Sequence, residues 1–356
     1  MPSVRSVVRR LAQLLVVGVA LLAALEVTAR IHLFGFSGLV PERINSWRLL
    51  HETKFLQPSP LPGLRHELKP NLEGYFRMVP FRTNARGLRD REYALKKPEH
   101  CFRVAVIGSS FSMPEGVAIE DAWHSLLEER LSEELAPTSY QFVNFAVGML
   151  SSKHMLAILE SRALAYQPDL IVYTVTRLST PALHRAERHA RLPARRPKGP
   201  PKLPRVRRSP PEKRPNELEG LPRLQHDFPV LDSFLVRLVS SRFTPIRHTG
   251  RQAGLSGRGV LERLAAIEQR TGIPIVVVRL EFESRPKSPY EIAIEAQSRQ
   301  HGIPYLDTRD AFRGTRYRDL WLNALDAHPS ARAHAIFADT IDAFLRAQTL
   351  LPGASS

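Results

Sequence analysis

The sequence is nearly without cysteine. Cys101 is the only cysteine in 356 residues, so no disulfide can form within the chain and a cysteine-based zinc site is excluded. The sequence also lacks the spacing of His, Cys, Asp and Glu that is typical of metal sites, and it lacks a glycine-rich loop that could hold a phosphate. We therefore predict neither a metal nor a cofactor.

Acidic side chains are fewer than basic ones, 35 against 51, which gives a formal net charge of +16. Such an excess of positive charge is found in proteins that bind nucleic acid, a membrane surface or an acidic polymer. Over half of the excess lies in a Pro-rich stretch, residues 185–223, with 13 Lys or Arg against 4 Glu. We predict a disordered insertion over residues 185–225, which is either a solvated linker or a contact to an anionic surface. It lacks interleaved aromatic residues, so nucleic acid is not predicted as a partner.

The longest hydrophobic run lies near the N-terminus. Leu11–Leu25 contains no charged residue and follows three arginines. These fifteen residues are short for a membrane span, which needs about 20, but apolar residues at both ends extend the run. A signal peptide, an uncleaved anchor and a buried core helix are the alternatives, and Val27–Ala29 is an acceptable cleavage site. Because basic residues stay in the cytoplasm, we expect residues 1–33 to be an uncleaved anchor, with the rest of the chain outside the cytoplasmic membrane.

From Phe102 onward, apolar runs alternate with amphipathic segments. Runs typical of buried strands begin at Phe102, Tyr140, Pro168, Ile273 and Ile303, and a segment with helical periodicity follows each of them. This alternation predicts a mainly parallel sheet covered by helices on both faces, which is a flavodoxin-like, three-layer α/β/α sandwich.

The domain organisation follows from these patterns. The anchor is followed by a connecting region with short strands, by the α/β domain in two parts, and by the basic insertion between those parts. The corresponding ranges are 34–100 for the connecting region, 101–184 and 226–348 for the two parts of the domain, and 185–225 for the insertion.

The strand that begins at Phe102 ends at Gly108, and two serines follow it. Ligands bind at the carboxyl ends of the strands in sheets of this kind, so Ser110 lies where chemistry is expected. It is either part of an ordinary strand-to-helix turn or a nucleophile. A serine hydroxyl is a weak nucleophile unless a base takes its proton, and histidine is the usual base.

The best candidate for that base is His328, which precedes the last helix. Asp326 lies two residues earlier, and at this spacing a carboxylate can accept the Nδ1–H of the imidazole and fix its tautomer. Alternatively, Asp326 caps the helix. Pro329 suits the first helical turn, because its missing N–H is not needed there.

The G-x-S-x-G elbow of the α/β-hydrolases is absent. Six other segments follow one another along the chain: LKPNLEGYF, RTNARGLRDREY, FRVAVIGSSFSMPEGV, VNFAVGMLSS, LAYQPDLIVYTV and DAHPSARAH. In these segments and their order, the chain resembles the membrane-anchored branch of the SGNH/GDSL hydrolase superfamily along nearly its whole length outside the basic insertion.

The resemblance implies an ester-cleaving or acyl-transferring site. By it, Ser110 attacks the acyl carbonyl, His328 acts as general base and then general acid, and Asp326 orients His328. The backbone N–H groups of Ser110 and Gly148 hold the oxyanion, since a glycine lets a backbone donor approach the substrate closely. From the sequence alone, Gly148 is equally well a simple turn glycine.

Two positions depart from the family pattern. Ser109 stands where the family usually has Asp, and the third block lacks the Asn that donates to the oxyanion. Thr176 and Arg177 are the nearest substitutes. Loss of one oxyanion donor costs roughly 3 kcal/mol of transition-state stabilisation.

These features together predict a membrane-anchored serine esterase or O-acyltransferase that forms an acyl-serine intermediate without a cofactor. The expected substrate is an acylated glycan or lipid of the cell envelope. The alternative is a catalytically impaired SGNH-like protein that binds an envelope glycan or a partner protein through the same cleft.

Overall fold

The computed structural model describes residues 3–61, 64, 66–176, 233–243, 257–283, 287 and 289–353. The predicted basic insertion, residues 185–225, lies outside them, as does Arg177. The described chain separates into two compact units. One contains residues 3–35 and 233–243, and the other contains the remaining described residues.

The helices and strands of the described residues are labelled in chain order. The helices are α1 (Val4–Phe34), α2 (Pro41–Ile44), α3 (Trp123–Glu134), α4 (Ser152–Ser161), α5 (Phe234–Phe243), α6 (Gly257–Thr271), α7 (Pro289–Gln300) and α8 (Ala331–Ala347). The strands are β1 (Leu56–Pro58), β2 (His66–Leu68), β3 (Glu73–Phe76), β4 (Val79–Arg82), β5 (Cys101–Ile107), β6 (Ser139–Asn144), β7 (Leu170–Val175), β8 (Ile275–Arg279), β9 (Tyr305–Asp307), β10 (Trp321–Asn323) and β11 (Asp326–Pro329).

The larger unit is built on a five-stranded sheet with the order β6-β5-β7-β8-β9, in which the described neighbours all pair in parallel. The chain starts at β5, adds β6 on one side and then continues from β7 on the other side. The order of the strands therefore reverses between β5 and β7, and at such a point ligands bind beyond the carboxyl ends of the strands. The predicted parallel sheet is confirmed.

Side chains alternate between the two faces of the sheet and form two separate cores. On β5, Ala105 and Ile107 face the core that contains α4 and α6, whereas Val104 and Val106 face the core that contains α3 and α8. A side-chain period of two with apolar residues on both faces requires cover on both sides. The predicted three-layer α/β/α fold is therefore confirmed.

Residues 36–100 contribute antiparallel pairs, β1 with β2 and β3 with β4. Phe76 and Phe81 of the second pair are fully buried in the same core as α4 and α6. Phe76 pairs with Val79, so the turn between the strands consists of Arg77 and Met78, and both have positive φ, 47° and 75°. This region, predicted as a connection with short strands, thus packs as part of the α/β core.

The smaller unit consists of α1 and α5. α1 is the one helix of the described residues that is long and apolar enough to cross a membrane. Leucines along most of its length, such as Leu14 and Leu15, are exposed, whereas Leu33 near its end is buried. Near its C-terminal end, the Glu26 carboxylate accepts the backbone N–H groups of Phe234 and Leu235, which begin α5.

Candidate active site

The serine turn begins where β5 ends, at the point where the strand order reverses. A Cβ on Gly108 would lie 2.4 Å from Thr174 Oγ1 and 2.6 Å from Ser112 Oγ. These two hydroxyl groups are themselves 2.9 Å apart, and Thr174 also donates to the carbonyl oxygen of Ile107 at 3.1 Å. Glycine at position 108 therefore lets the turn close against β7, which sets the position of Ser110.

The turn that follows Ser110 is held from within and from outside. Within it, the N–H of Met113 donates to Ser109 O at 2.8 Å, and the N–H of Glu115 donates to Ser110 O at 3.3 Å. From outside, Asn144 Nδ2 donates to Ser112 O at 2.9 Å. Asn144 thus links the end of β6 to the serine turn, and its amide has a structural role here.

Arg89 also holds this turn, although its local sequence gives no indication of this role. Its guanidinium is almost fully buried and donates to the carbonyl oxygens of Met113, Pro114 and Val117 at 2.5, 2.6 and 2.8 Å. It lies over the ring of Phe81, 4.8 Å from the ring centroid. Burial lowers the pKa of Arg89 to about 10, so the group stays charged at neutral pH and its hydrogen bonds are charge-assisted.

Asp326 and His328 lie on β11, which pairs with β10 in an antiparallel hairpin before α8. His328 Nδ1 is 2.6 Å from Asp326 Oδ1, and the backbone N–H of His328 donates to the same oxygen at 3.0 Å. The carboxylate therefore fixes both the ring and its backbone. Asp326 does not cap α8, whose N-cap residue is Ser330. The expectation for Pro329 is wrong, because Pro329 ends β11 instead of opening the helix.

The electrostatics of this pair favour an ionised carboxylate and a protonated ring. Burial by itself would raise the pKa of Asp326, but the charge and hydrogen bond of His328 and the charge of Arg77 hold it well below its usual range. Burial would lower the pKa of His328, but the charge and hydrogen bond of Asp326, together with Glu115, raise it above its ordinary value. Each partner thus stabilises the charged form of the other.

His328 lies beside the serine turn. Its ring contacts the ring of Phe111, the residue after Ser110, with centroids 5.7 Å apart in an edge arrangement. Its Nε2 is 3.8 Å from Glu115 Oε2 on the same turn. Ser110 itself is buried, and within the described residues no hydrogen bond joins its hydroxyl to the imidazole. A serine and its base often come within hydrogen-bond distance only in the substrate complex.

The predicted oxyanion donors differ in what they contact. The N–H of Gly148 donates to Met113 Sδ at 3.1 Å. Because a thioether is a weak acceptor, a substrate oxyanion can compete for this N–H. A Cβ on Gly148 would lie 2.2 Å from Glu115 Oε1, so a larger residue would require the end of the Glu115 side chain to move. Thr176 follows β7 directly and is buried.

Two charged residues at the site were not identified from the sequence as part of it. Arg77, at the tip of the β3–β4 hairpin, contacts Asp326 Oδ2 through Nη1 and lies 3.1 Å from Glu115 Oε2 through Nε. Glu115, the second of these residues, is buried. A hairpin tip between two apolar runs is visible in the sequence, but its long-range partner is not.

Two further histidines are packing residues. His124 Nε2 contacts Asn144 Nδ2 at 2.9 Å, and His334 Nδ1 accepts the backbone N–H of Trp123 at 3.3 Å. Burial lowers the pKa of both to about 3, so both are neutral at physiological pH. Among the described residues, no group of three or more His, Cys, Asp or Glu side chains is arranged to hold a metal ion.

The fold and these residues define an α/β/α protein with an imidazole–carboxylate pair beside a serine turn. A scan against protein-family models and a search of curated proteins give no match. Solved structures with a similar fold include LAE5, an α/β hydrolase from the metagenome of Lake Arreo in Spain, with 12% identity, 68% of this chain and 94% of that chain covered, and a TM-score of 0.40. TesA has 15% identity, 70% and 99% coverage and a TM-score of 0.40. Axe2, an acetylxylan esterase from Geobacillus stearothermophilus, has 14% identity, 68% and 94% coverage and a TM-score of 0.39. Likeness at these values does not establish an activity.

Proposed function

We propose that this protein is a serine esterase or O-acyltransferase of the SGNH type, anchored in the cytoplasmic membrane. Its substrate is an acylated glycan or lipid of the envelope. The observation that carries the proposal is the 2.6 Å contact between His328 Nδ1 and Asp326 Oδ1, next to the turn that holds Ser110. An imidazole oriented in this way is suited to take a proton from a serine hydroxyl.

The reaction proceeds in two steps. In the first, Ser110 Oγ bonds to the acyl carbon and its proton passes to His328 Nε2. The bond between the acyl carbon and the alcohol oxygen then breaks, and His328 returns the proton to that oxygen. In the second step, water or a sugar hydroxyl attacks the acyl-serine, again with His328 as base. Water gives hydrolysis and regenerates Ser110, and a sugar hydroxyl gives a new ester.

The oxyanion of each tetrahedral intermediate needs donors. The backbone N–H of Ser110 is the first, and the N–H of Gly148 is the second once a substrate displaces the sulfur of Met113. Thr176 is a third candidate because it directly follows the strand next to β5. No cofactor takes part in the proposed chemistry.

The proposed location rests on α1. The most apolar 18-residue stretch of this helix has no buried residue, and its N-terminal part carries arginines that favour the cytoplasmic side. The domain with Ser110 is then on the outer side of the cytoplasmic membrane. The basic stretch 185–223 contacts an anionic surface in this proposal, such as lipid headgroups or an acidic glycan.

A non-catalytic binding protein is the second candidate. Two observations favour it, namely the missing third-block Asn and the Gly148 N–H, which already has a partner in Met113. In that case the same cleft binds an envelope glycan or a partner protein without turnover.

A panel of acyl esters, assayed with the full chain in detergent, separates the two candidates. We expect hydrolysis by the wild type and loss of nearly all of it in Ser110→Ala. Ser109→Ala is the matched control, because it removes a neighbouring hydroxyl that makes no described hydrogen bond. Equal hydrolysis rates for the wild type and Ser110→Ala would exclude the proposed serine esterase activity.

Membrane fractionation tests the anchor. The full-length protein should remain with membranes in high salt, and removal of residues 1–33 should release it. Release of the full-length protein by salt alone would show that α1 does not span the bilayer.

A further inference from the structure

A second carboxylate faces the imidazole of His328. Glu115 Oε2 lies 3.8 Å from Nε2, while Asp326 Oδ1 lies 2.6 Å from Nδ1 on the opposite edge of the ring. The side chain of Glu115 is only 4% exposed. A buried carboxylate needs a charged or hydrogen-bonding partner to offset its desolvation. The imidazole therefore lies between two buried carboxylates on its two nitrogen edges.

Arg77 contacts both carboxylates. Its Nη1 contacts Asp326 Oδ2, and its Nε is 3.1 Å from Glu115 Oε2. The backbone fixes Arg77 in turn, because its N–H donates to Ser46 O at 3.0 Å and the next N–H, of Met78, donates to Ser46 Oγ at 3.0 Å. A guanidinium spreads its positive charge over a rigid plane, so one Arg can form ion pairs with two carboxylates.

The carboxylate of Glu115 lies in the space beside Gly148. A Cβ at Gly148 would lie 2.2 Å from Glu115 Oε1, 3.2 Å from Leu50 Cδ2 and 3.3 Å from Met113 Cε. A side chain at position 148 would therefore require the end of the Glu115 side chain to move. The same glycine that gives a backbone donor to the site also leaves the space that Glu115 occupies.

We propose that Glu115 is a positioning residue for the reaction, a second carboxylate that acts on the Nε2 edge of His328 and is held in place by Arg77. The part of this inference that concerns catalysis rests on the proposed function. In the neutral ring, a nitrogen lone pair at Nε2 faces the carboxylate, which is repulsive. In the imidazolium, an N–H faces it, which is attractive.

The charges around the ring give the direction of the effect. The charged groups that act on His328 are Asp326 on its own strand, Glu115 on the serine turn and Arg77 on the β3–β4 hairpin. His334 on α8 also interacts with His328 electrostatically, but its pKa of about 3 keeps it neutral. When the imidazole is neutral, the cluster of His328, Asp326, Glu115 and Arg77 carries a net charge of −1, from two carboxylates and one guanidinium. With an imidazolium it is neutral, so the surroundings stabilise the protonated ring.

This arrangement has two consequences for turnover. The imidazolium forms when Ser110 gives up its proton, so Glu115 stabilises that state and makes His328 a stronger base. At low pH, however, the ring is already protonated and cannot accept the proton. The rate should therefore fall on the acid side at a higher pH than an isolated histidine would give.

The titration of His328 tests the inference without any substrate. The full chain in detergent is labelled at histidine Cε1 with ¹³C, and the His328 signal is assigned by its loss in His328→Asn. We expect Glu115→Gln to lower the titration midpoint of His328 by about one pH unit, which is typical for loss of a nearby opposite charge. Glu120→Gln is the matched control, because Glu120 is exposed and does not face the ring.

Variants of Arg77 should act in the opposite direction. Arg77→Met removes the positive charge and should raise the midpoint, whereas Arg77→Lys keeps the charge and should leave it closer to the wild type. If Glu115→Gln does not fold, Glu115→Asp withdraws the carboxylate by one methylene and should lower the midpoint by a smaller amount. An unchanged midpoint in the folded variant at Glu115, equal to that of Glu120→Gln, would overturn the proposal.

Kinetics then separate this inference from the proposed function. If the protein cleaves esters, the acid limb of kcat/KM should move to lower pH in Glu115→Gln by the same amount as the titration midpoint. An acid limb that stays in place while the midpoint moves would refute the role in catalysis. If the midpoint moves but the wild type cleaves no ester, the charge arrangement stands and the proposed function fails.

Discussion

The central sheet and the region of residues 36–100 both shape the candidate site, but in different ways. The end of β5 places Ser110, through a glycine that lets the turn close against Thr174. Residues 36–100 contribute two positively charged side chains to the site. Arg77 contacts Asp326, and Arg89 donates to carbonyl groups of the serine turn. One region thus sets where the proposed nucleophile lies, and the other sets the electrostatics around it and the shape of its loop.

The largest expected effect is a loss of ester turnover on substitution of Asp326, which contacts both His328 and Arg77. Asp326→Asn keeps the shape of the side chain but removes the charge that orients and supports His328. We expect the ester turnover number to fall about 10⁴-fold, as in serine–histidine–aspartate sites generally. Asp310→Asn, an exposed position, is the control. A loss of less than tenfold would show that Asp326 is not the orienting group.

The next effect concerns Arg89 and the loop it holds. Arg89→Met removes one donor from three buried carbonyl groups, and of these Pro114 O keeps the N–H of Val117 as a donor. Unpaired buried polar groups are costly, so we expect about 3 kcal/mol less free energy of unfolding. The comparison is Arg82→Met, whose side chain is 78% exposed and should matter little. Chemical denaturation measures both. Equal unfolding midpoints for the two variants would mean that Arg89 does not stabilise the turn.

A smaller loss of stability is expected at Gly108, where the serine turn lies against β7 of the sheet. Gly108→Ala forces a methyl group against Thr174 Oγ1 and Ser112 Oγ, and we expect it to cost about 2 kcal/mol by overpacking. Gly259→Ala in α6 adds a methyl group where nothing lies within 4 Å, and it should be neutral or stabilising. Thermal unfolding of both variants decides this. If Gly108→Ala were as stable as the wild type, the close approach of the turn to β7 would not be required.

The smallest expected effect is a pH dependence of stability. The pKa of His328 is raised in the folded protein, mainly by Asp326, so the stability that this provides is fully present below about pH 6.5, the ordinary value for histidine. It is lost as the pH rises through the folded-state value. We expect the difference in unfolding free energy between wild type and His328→Asn to shrink above that pH. A difference that is constant from pH 5 to 9 would contradict the raised pKa.

The sequence predicts the sheet well because periodicity is a local signal. Continuous apolar runs such as Val104–Ile107 are typical of parallel strands that are covered on both faces. The carboxyl end of this strand then indicates Ser110 as a candidate site residue. The spacing of Asp326 and His328 is also local, and the structure places them in hydrogen-bond distance.

Contacts between residues that are far apart in the chain could not be predicted from the sequence. Arg77 lies 249 residues from Asp326, and nothing in the surrounding residues indicates that partner. Arg89 is buried against carbonyl groups of another loop, although an arginine in a turn-rich segment is normally expected to be exposed. The hairpin that carries Asp326 and His328 was likewise not predicted, because β10 and β11 are short and irregular in register.

The most direct test of the central claim is covalent labelling of Ser110. A fluorophosphonate reacts with a serine hydroxyl only where a base activates it, and intact-mass and peptide analysis of the full-length protein locate the adduct. The account predicts one adduct on Ser110 in the wild type and strongly reduced labelling in His328→Asn. No adduct on Ser110, or equal labelling in both proteins, would contradict activation of this serine by His328.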